Sequence, residues 1–349
     1  MHKKNYWILK TLYKSNIVIL LTFFLILPLQ AIAGEINIYS HRQPFLINPF
    51  LKAFTEKTGI KTNVVYSTKG LAQRLKAEGP NSPADVILTV DIGRLQVYED
   101  LKLLAEINSY KLDTNIPPHL RSSDKTWVAL SKRSRIIVVS KSRVKLSSIT
   151  RIEDLADPIW KKKICSRPGS HVYNRALMAS MIAAHGIDNA TDWAKGLVAN
   201  LARRPQGNDR AQVKAIYEGQ CDVSIINNYY YGKLKYSDDP KQRKWADELL
   251  LIFPNQGEND RGAHINISGG GVAKYSKNKK EAIKLLEFLS EEASQKLYGT
   301  INFEYPVNPR VKPSKILQDW GVFREDQLPI QKIAEFSLTA QKIIDKVGW

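Results

Sequence analysis

The chain has 349 residues, with 52 Lys and Arg against 34 Asp and Glu, a formal charge of +18, and only two cysteines. That length suits two domains of ordinary size. A basic balance can signal nucleic acid or anionic lipid as partner, but no dense basic block and no known nucleic-acid motif is present. In chain order, Lys3, Lys4, Lys10 and Lys14 precede the apolar stretch Ile17 to Leu29, and Ala31-Ile32-Ala33 stands before Gly34. This is the pattern of a secretory signal peptide cleaved after Ala33, and an apolar run of about a dozen residues falls short of the roughly twenty that a membrane span needs. Removing it takes away four lysines and no acid, which leaves 48 bases, 34 acids and a charge of +14. An exported chain meets no genome, so the charge implies a solvated basic surface around an anion-accepting cleft. Neither cysteine lies near the cleavage site to accept a lipid, so the expected mature protein is soluble and periplasmic.

Glu35 to Tyr39 alternates as a strand, and Ile47, Phe50, Leu51 and Phe54 then fall at helical spacing. Thr62–Tyr66 reads as a strand, Leu71–Glu78 as a helix, and Ala84–Thr89 as a strand that enters Val90-Asp91. Repeated strand and helix predict a parallel α/β sheet with ligands beyond the strand ends, where Ser40-His41-Arg42-Gln43 and Val90-Asp91 lie. Trp127 to Ser140 is β-rich but contains Lys132-Arg133-Ser134-Arg135, which is costly mid-strand unless an acid or anion meets the cations. The pattern then repeats with strand Lys163–Cys165, helices Asn174–Ala184 and Asp209–Tyr217, and strand Val223–Ile226. Residues 262–273 form a further strand whose glycine run is no nucleotide loop, because no Gly-Lys-Ser/Thr follows. Ala282–Leu289 and the tail from Ile316 to Val347 read as helices. Cys165 and Cys221 sit at strand edges beside site segments, and a pair in an oxidising compartment favours a disulfide.

The chemistry concentrates in Gly219 to Lys233, where the apolar run Val223-Ser224-Ile225-Ile226 stops at Asn227-Asn228-Tyr229-Tyr230-Tyr231. Alternation would send Tyr229 and Tyr230 to opposite faces of a strand, so they serve one cleft only at a strand-to-helix turn, which the two asparagines suit. A phenol titrates near 10, and only a strongly charged cation such as Fe(III) normally strips its proton at neutral pH. An aromatic core or a sugar-stacking platform also fits the tyrosines taken alone. Pro168 to Asn174 looks like a helix start whose free N–H groups attract an anion, with Tyr173 just inside it. No histidine pair has zinc-binding spacing, no Gly-x-Ser-x-Gly elbow exists, and Asp91 has no identifiable partner acid, so hydrolytic chemistry lacks support.

With these residues in view, the chain resembles the periplasmic ferric iron-binding proteins of bacterial iron ABC transporters, a transferrin-like group of substrate-binding proteins. The resemblance rests on Cys221 to Leu234 with its paired tyrosines, on Asn81 to Val86, Ser131 to Arg135, Ile164 to Pro168 with Tyr173, Asn266 to Gly269, and Asn302 to Pro309. It implies a two-lobed α/β periplasmic binding protein of type II with its ligand cleft between the lobes. The lobes would run as 34–132 (N-lobe), 133–261 (C-lobe), 262–311 (return to the N-lobe) and 312–349 (C-terminal helices on the C-lobe). It further implies Tyr173, Tyr229 and Tyr230 as phenolate ligands of Fe(III), and Arg133, Gly169, Ser170 and Asn227 around a small synergistic anion such as carbonate. Tyr231, about 200° around a helix from Tyr229, reads as packing. The implied partner is an inner-membrane permease, and the implied protein is a monomer without catalytic turnover.

The first lobe departs from the family. Many members carry a histidine, often followed by tyrosine, where this chain has Gln43 and Pro44, with His41 two residues earlier. Some provide a glutamate where this chain has Val90, with Asp91 beside it. His41, Gln43 and Asp91 are therefore the first-lobe candidates, with an anion or water as the alternative. A second reading keeps the fold but binds a small organic anion between Lys132, Arg133 and Arg135 with the tyrosines as walls. A third is a periplasmic acid–base enzyme using Asp91 or a tyrosine.

Overall fold

The computed structural model describes residues 34–349, so the expected leader, residues 1–33, lies outside the described residues. Strands β1 (Glu35–Ser40), β2 (Lys61–Tyr66) and β3 (Val86–Thr89) run parallel in the order β2-β1-β3, joined by helices Pro44–Thr58 and Leu71–Glu78. After helix Ile92–Asp100, the short β4 (Leu104–Ala105) and helix Tyr110–Asn115, the chain enters β5 (Trp127–Ser140), which passes from one lobe to the other. Its first part, Trp127 to Ser134, pairs antiparallel with β9 (Ile265–Ala273), and its second part, Arg135 to Val139, pairs antiparallel with β7 (Val223–Asn227). With β6 (Ile164–Cys165) and β8 (Leu249–Ile252), the strand path is β2-β1-β3-β9-β5-β7-β6, with β4 on β9 and β8 on β5.

The sheet is thus mixed rather than parallel throughout. Parallel pairing holds for β2-β1-β3 and for β6-β7, which crossover helices connect. The strands that carry the chain out to the second lobe and back must run in opposite directions, so β5 and β9 are antiparallel. Three consecutive glycines let β9 sit between its neighbours. A Cβ on Gly269 would lie 2.7 Å from Leu95 Cδ1, and one on Gly271 would lie 2.7 Å from the Thr126 carbonyl oxygen.

The cations in the middle of β5 are met by acids. Buried Arg133 pairs with Asp91 at 3.3 Å, buried Arg135 with Asp209 at 2.9 Å, and Lys132 with Glu325 at 2.7 Å. Cys165 on β6 and Cys221 just before β7 form a disulfide with a Cα separation of 5.8 Å, which ties together the two strands that lead into the tyrosines. The second lobe's helices Val172–His185, Ile187–Ala199, Asp209–Tyr217, Asn228–Lys235 and Pro240–Asp247 flank this sheet, and helices Lys279–Ser290 and Glu292–Ile301 follow β9. Near the end of the chain, helix Ser337–Val347 packs on Val172–His185 and Ile187–Ala199, while helix Ile330–Glu335 touches both Val172–His185 and the first lobe's Ile92–Asp100.

Candidate metal centre

Strand β7 ends at Asn227 and a helix begins at Asn228, so Tyr229 and Tyr230 occupy its first turn. That break in the two-residue alternation is what turns adjacent side chains toward one cavity. Asn228 holds the turn from beneath: its side-chain oxygen accepts the Ser134 N–H at 2.9 Å, and its amide donates to the Phe303 carbonyl at 2.8 Å. Beside this turn, His171 caps helix Val172–His185 by accepting the Tyr173 N–H at 3.3 Å, and Tyr173 lines the same cavity. The Tyr229 hydroxyl donates to the Tyr173 hydroxyl oxygen at 3.0 Å, and the Tyr229 and Tyr230 rings lie 4.4 Å apart. Three phenols from two segments of one lobe therefore share one wall of a cavity of about 950 Å³. Tyr231 turns away and packs edge-on to Trp320 at 5.6 Å.

Cations surround these oxygens. The Arg133 and Arg167 guanidinium carbons stand 5.3 and 5.1 Å from the centre of the Tyr173 ring, and that of Arg210 lies 5.7 Å from the Tyr230 ring. Burial, reinforced by the neighbouring phenols, nevertheless pushes the Tyr229 hydroxyl well above its ordinary pKa. Burial followed by Tyr173 and Asp209 raises Tyr230 as well. Without a metal both are neutral phenols; a highly charged cation would turn them into phenolates. Arg133 lines the cavity, and its Nη1 is buried without a hydrogen-bond partner among the described residues, a donor suited to an anion. No group of three His, Cys, Asp or Glu able to hold a metal occurs among the described residues, and the three phenols share the cavity walls with His41, His171 and Glu304.

The other residues singled out from sequence lie as follows. Asn227 uses its side-chain amide to donate to the Tyr229 oxygen at 3.2 Å, while its main-chain N–H goes to Asp209 at 2.9 Å. Ser170 is exposed on the cavity wall, whereas the Gly169 N–H donates to the main-chain oxygen of Trp349 at 3.0 Å and faces away from the cavity. On the first lobe, Gln43 is exposed at the cavity. Both ring nitrogens of His41 are engaged, Nδ1 with the Ser67 carbonyl at 2.8 Å and Nε2 with the Tyr98 hydroxyl at 3.0 Å. Asp91 is buried, caps helix Ile92–Asp100 through the Gly93 N–H at 2.9 Å, and binds Asn266 at 3.0 Å and Arg133. Of the three cations in the organic-anion reading, only Arg133 lines the cavity; Lys132 pairs with Glu325 and Arg135 with Asp209. The walls also contain Tyr66, Lys69, Arg94, Arg175, Arg210 and Lys233, none of which sequence reasoning had singled out.

Residues 39–296 match the family profile of the bacterial extracellular solute-binding proteins. The chain belongs to this family. The relatives that follow are iron-binding transport proteins rather than enzymes. The iron uptake protein A1 of Synechocystis sp. is 41% identical over 316 residues, which covers 90% of this chain and 87% of the relative. The apo ferric ion-binding protein A of Pasteurella haemolytica superposes with a TM-score of 0.85 at 48% identity, covering 90% of this chain and 98% of that one. A Trichodesmium protein solved in complex with iron and citrate ligands superposes with a TM-score of 0.86 at 44% identity, covering 90% and 100%. The shared architecture is a two-lobed one with a curled sheet.

Proposed function

We propose that the mature chain is the binding component of an iron ABC transporter, capturing Fe(III) through the phenolates of Tyr173, Tyr229 and Tyr230 and delivering it to an inner-membrane permease. The observation that carries this reading is the convergence of the Tyr229 and Tyr173 hydroxyls at 3.0 Å with Tyr230 alongside, in a cavity walled by cations. Hard oxygen donors select a hard cation, and three phenolates balance the charge of Fe(III). The names of the relatives, an iron uptake protein and ferric ion-binding proteins, support the same cargo. Carbonate or another small anion completes the shell on the first-lobe side beside Arg133, since His41 bonds at both ring nitrogens and Asp91 is taken up by Gly93, Asn266 and Arg133. The protein acts as a soluble periplasmic monomer after cleavage behind Ala33, and closing of residues 34–132 and 262–311 onto 133–261 forms the surface that the permease recognises.

The test is a titration of the purified mature protein with ferric citrate. Phenolate bound to Fe(III) absorbs visible light by charge transfer, so the protein should colour and saturate at one iron per chain. A parent that stays colourless while binding citrate alone would make it an organic-anion carrier and end the iron reading.

A further inference from the structure

We propose that Trp349, which lies outside the cavity, is a positioning residue for the iron site, because it clamps from behind the segment that presents Tyr173. The inference rests on the iron reading above. Segment 166–171 links β6 to the helix that carries Tyr173 and has no helix or strand of its own. Trp349 grips it at two points. Its indole Nε1 donates to Ser166 Oγ at 2.9 Å, and its main-chain oxygen accepts the Gly169 N–H at 3.0 Å. Ser166 Oγ passes the constraint on by donating to the Arg167 carbonyl at 2.7 Å, and Asn174 Nδ2 donates to that same carbonyl at 3.1 Å. Asn174 follows Tyr173 directly, so the ligand sits between two anchored ends.

The fit at the first anchor is tight. A Cβ added to Gly169 would stand 2.7 Å from Trp349 Cγ and 2.8 Å from its main-chain oxygen, so only glycine lets the indole close against the loop. The ring is buried and itself fixed edge-on to Trp193 at 5.7 Å. Tyr173, by contrast, is only half-buried, and its hydroxyl receives a single hydrogen bond, from Tyr229. Its helix, the His171 ring at 4.5 Å and the Arg133 and Arg167 guanidiniums also hold it, but the entry of the chain into that helix is set by the loop that Trp349 grips. Residues that hold a metal ligand from behind typically matter roughly 10–100-fold in metal affinity.

The experiment compares Trp349→Ala, Trp349→Phe and Gly169→Ala with the parent in the mature full-length protein, each titrated with ferric citrate and then challenged with excess chelator. Trp349→Ala should bind iron roughly 10–100-fold more weakly, release it faster and show an altered charge-transfer band, since one phenolate no longer holds its geometry. Trp349→Phe keeps an aromatic ring without the N–H and should fall between the two. Gly169→Ala should resemble Trp349→Ala, because its methyl group claims the space of the indole. Parent-like band and release rate in Trp349→Ala overturn the proposal; should that variant fail to fold, parent-like behaviour of both other variants overturns it. A parent that takes up no iron removes the functional reading itself, a distinct result.

Discussion

Replacing Tyr229 by Phe removes one phenol from the cavity and leaves its ring packed against Tyr230, so the variant tests the site through protons as well as through affinity. An ordinary phenol titrates near 10, and burial raises Tyr229 and Tyr230 above that. A raised pKa means the neutral form persists at pH 7, so each must release a proton to bind as phenolate. Three tyrosine ligands thus exchange three protons for one Fe(III), and affinity below the phenol pKa should change ~1000-fold per pH unit, weakening on acidification. The two cavity histidines do not blur the count. Burial, then Arg94, holds His41 down at about 4, and burial, then Arg167, holds His171 at about 3, so both stay neutral from about pH 8 to about pH 5.5. Iron is added as ferric citrate to weakly buffered protein, and protons released per iron are counted with an indicator. Tyr229→Phe should release one proton fewer than the parent and reduce the dependence to ~100-fold per pH unit. Tyr231→Phe should match the parent, and any proton carried by the anion cancels in the comparison. A Tyr229→Phe protein that releases as many protons as the parent would refute the phenolate assignment.

The Cys165–Cys221 bridge closes a loop of 56 residues, for which chain entropy predicts a contribution of ~4 kcal/mol. Thiol counting on the exported protein should find none free, and reduction should lower the thermal midpoint while leaving the colour at iron saturation intact. Because His41 is already bonded at both nitrogens and Gln43 is a neutral amide, His41→Ala and Gln43→Ala should each change iron affinity by less than about threefold; a large loss in either would make it a ligand. Asp209 is fully buried between Arg135 at 2.9 Å and Arg167 at 2.7 Å, so Asp209→Asn leaves two guanidinium groups facing each other and should cost about 3–5 kcal/mol in denaturant unfolding.

The tyrosine wall was legible because its signal is local. A β-branched run stopping at two asparagines fixes where the strand ends, and the phenols beside it follow. The β5 cations were legible as a problem whose solution was not, since the acid for Arg135 arrives from a helix start 74 residues later. The same distance effect hid the use of the Gly169 amide, which goes to a residue 180 positions away. Asp91 looked free in sequence and is fully engaged, because its partners Arg133 and Asn266 come from the two strands that cross between the lobes. Helix Pro240–Asp247 carried an unread local signal, Asp239 capping the Lys241 N–H at 2.8 Å ahead of a proline at the first helical position.

The charge of the cavity bears on how iron reaches it. Arg42, Arg133 and Arg167 each face a carboxylate, those of Glu304, Asp91 and Asp209. Lys69, Arg94, Arg175, Arg210 and Lys233 on the same walls have no carboxylate within ion-pair distance among the described residues. Fe(III) held by three phenolates is neutral, so the metal does not offset these five cations. An approaching aquo cation would be repelled by them, whereas an anionic chelate would be drawn in. The rate of colour development from ferric citrate should therefore fall as ionic strength rises from about 0.01 to 0.15 M, where the screening length shrinks from about 30 to about 8 Å. Uptake from an uncharged ferric chelate should be nearly flat over the same range. If citrate-delivered uptake were equally insensitive to salt, these cations would have no part in capture, and the basic walls would serve the closed state alone.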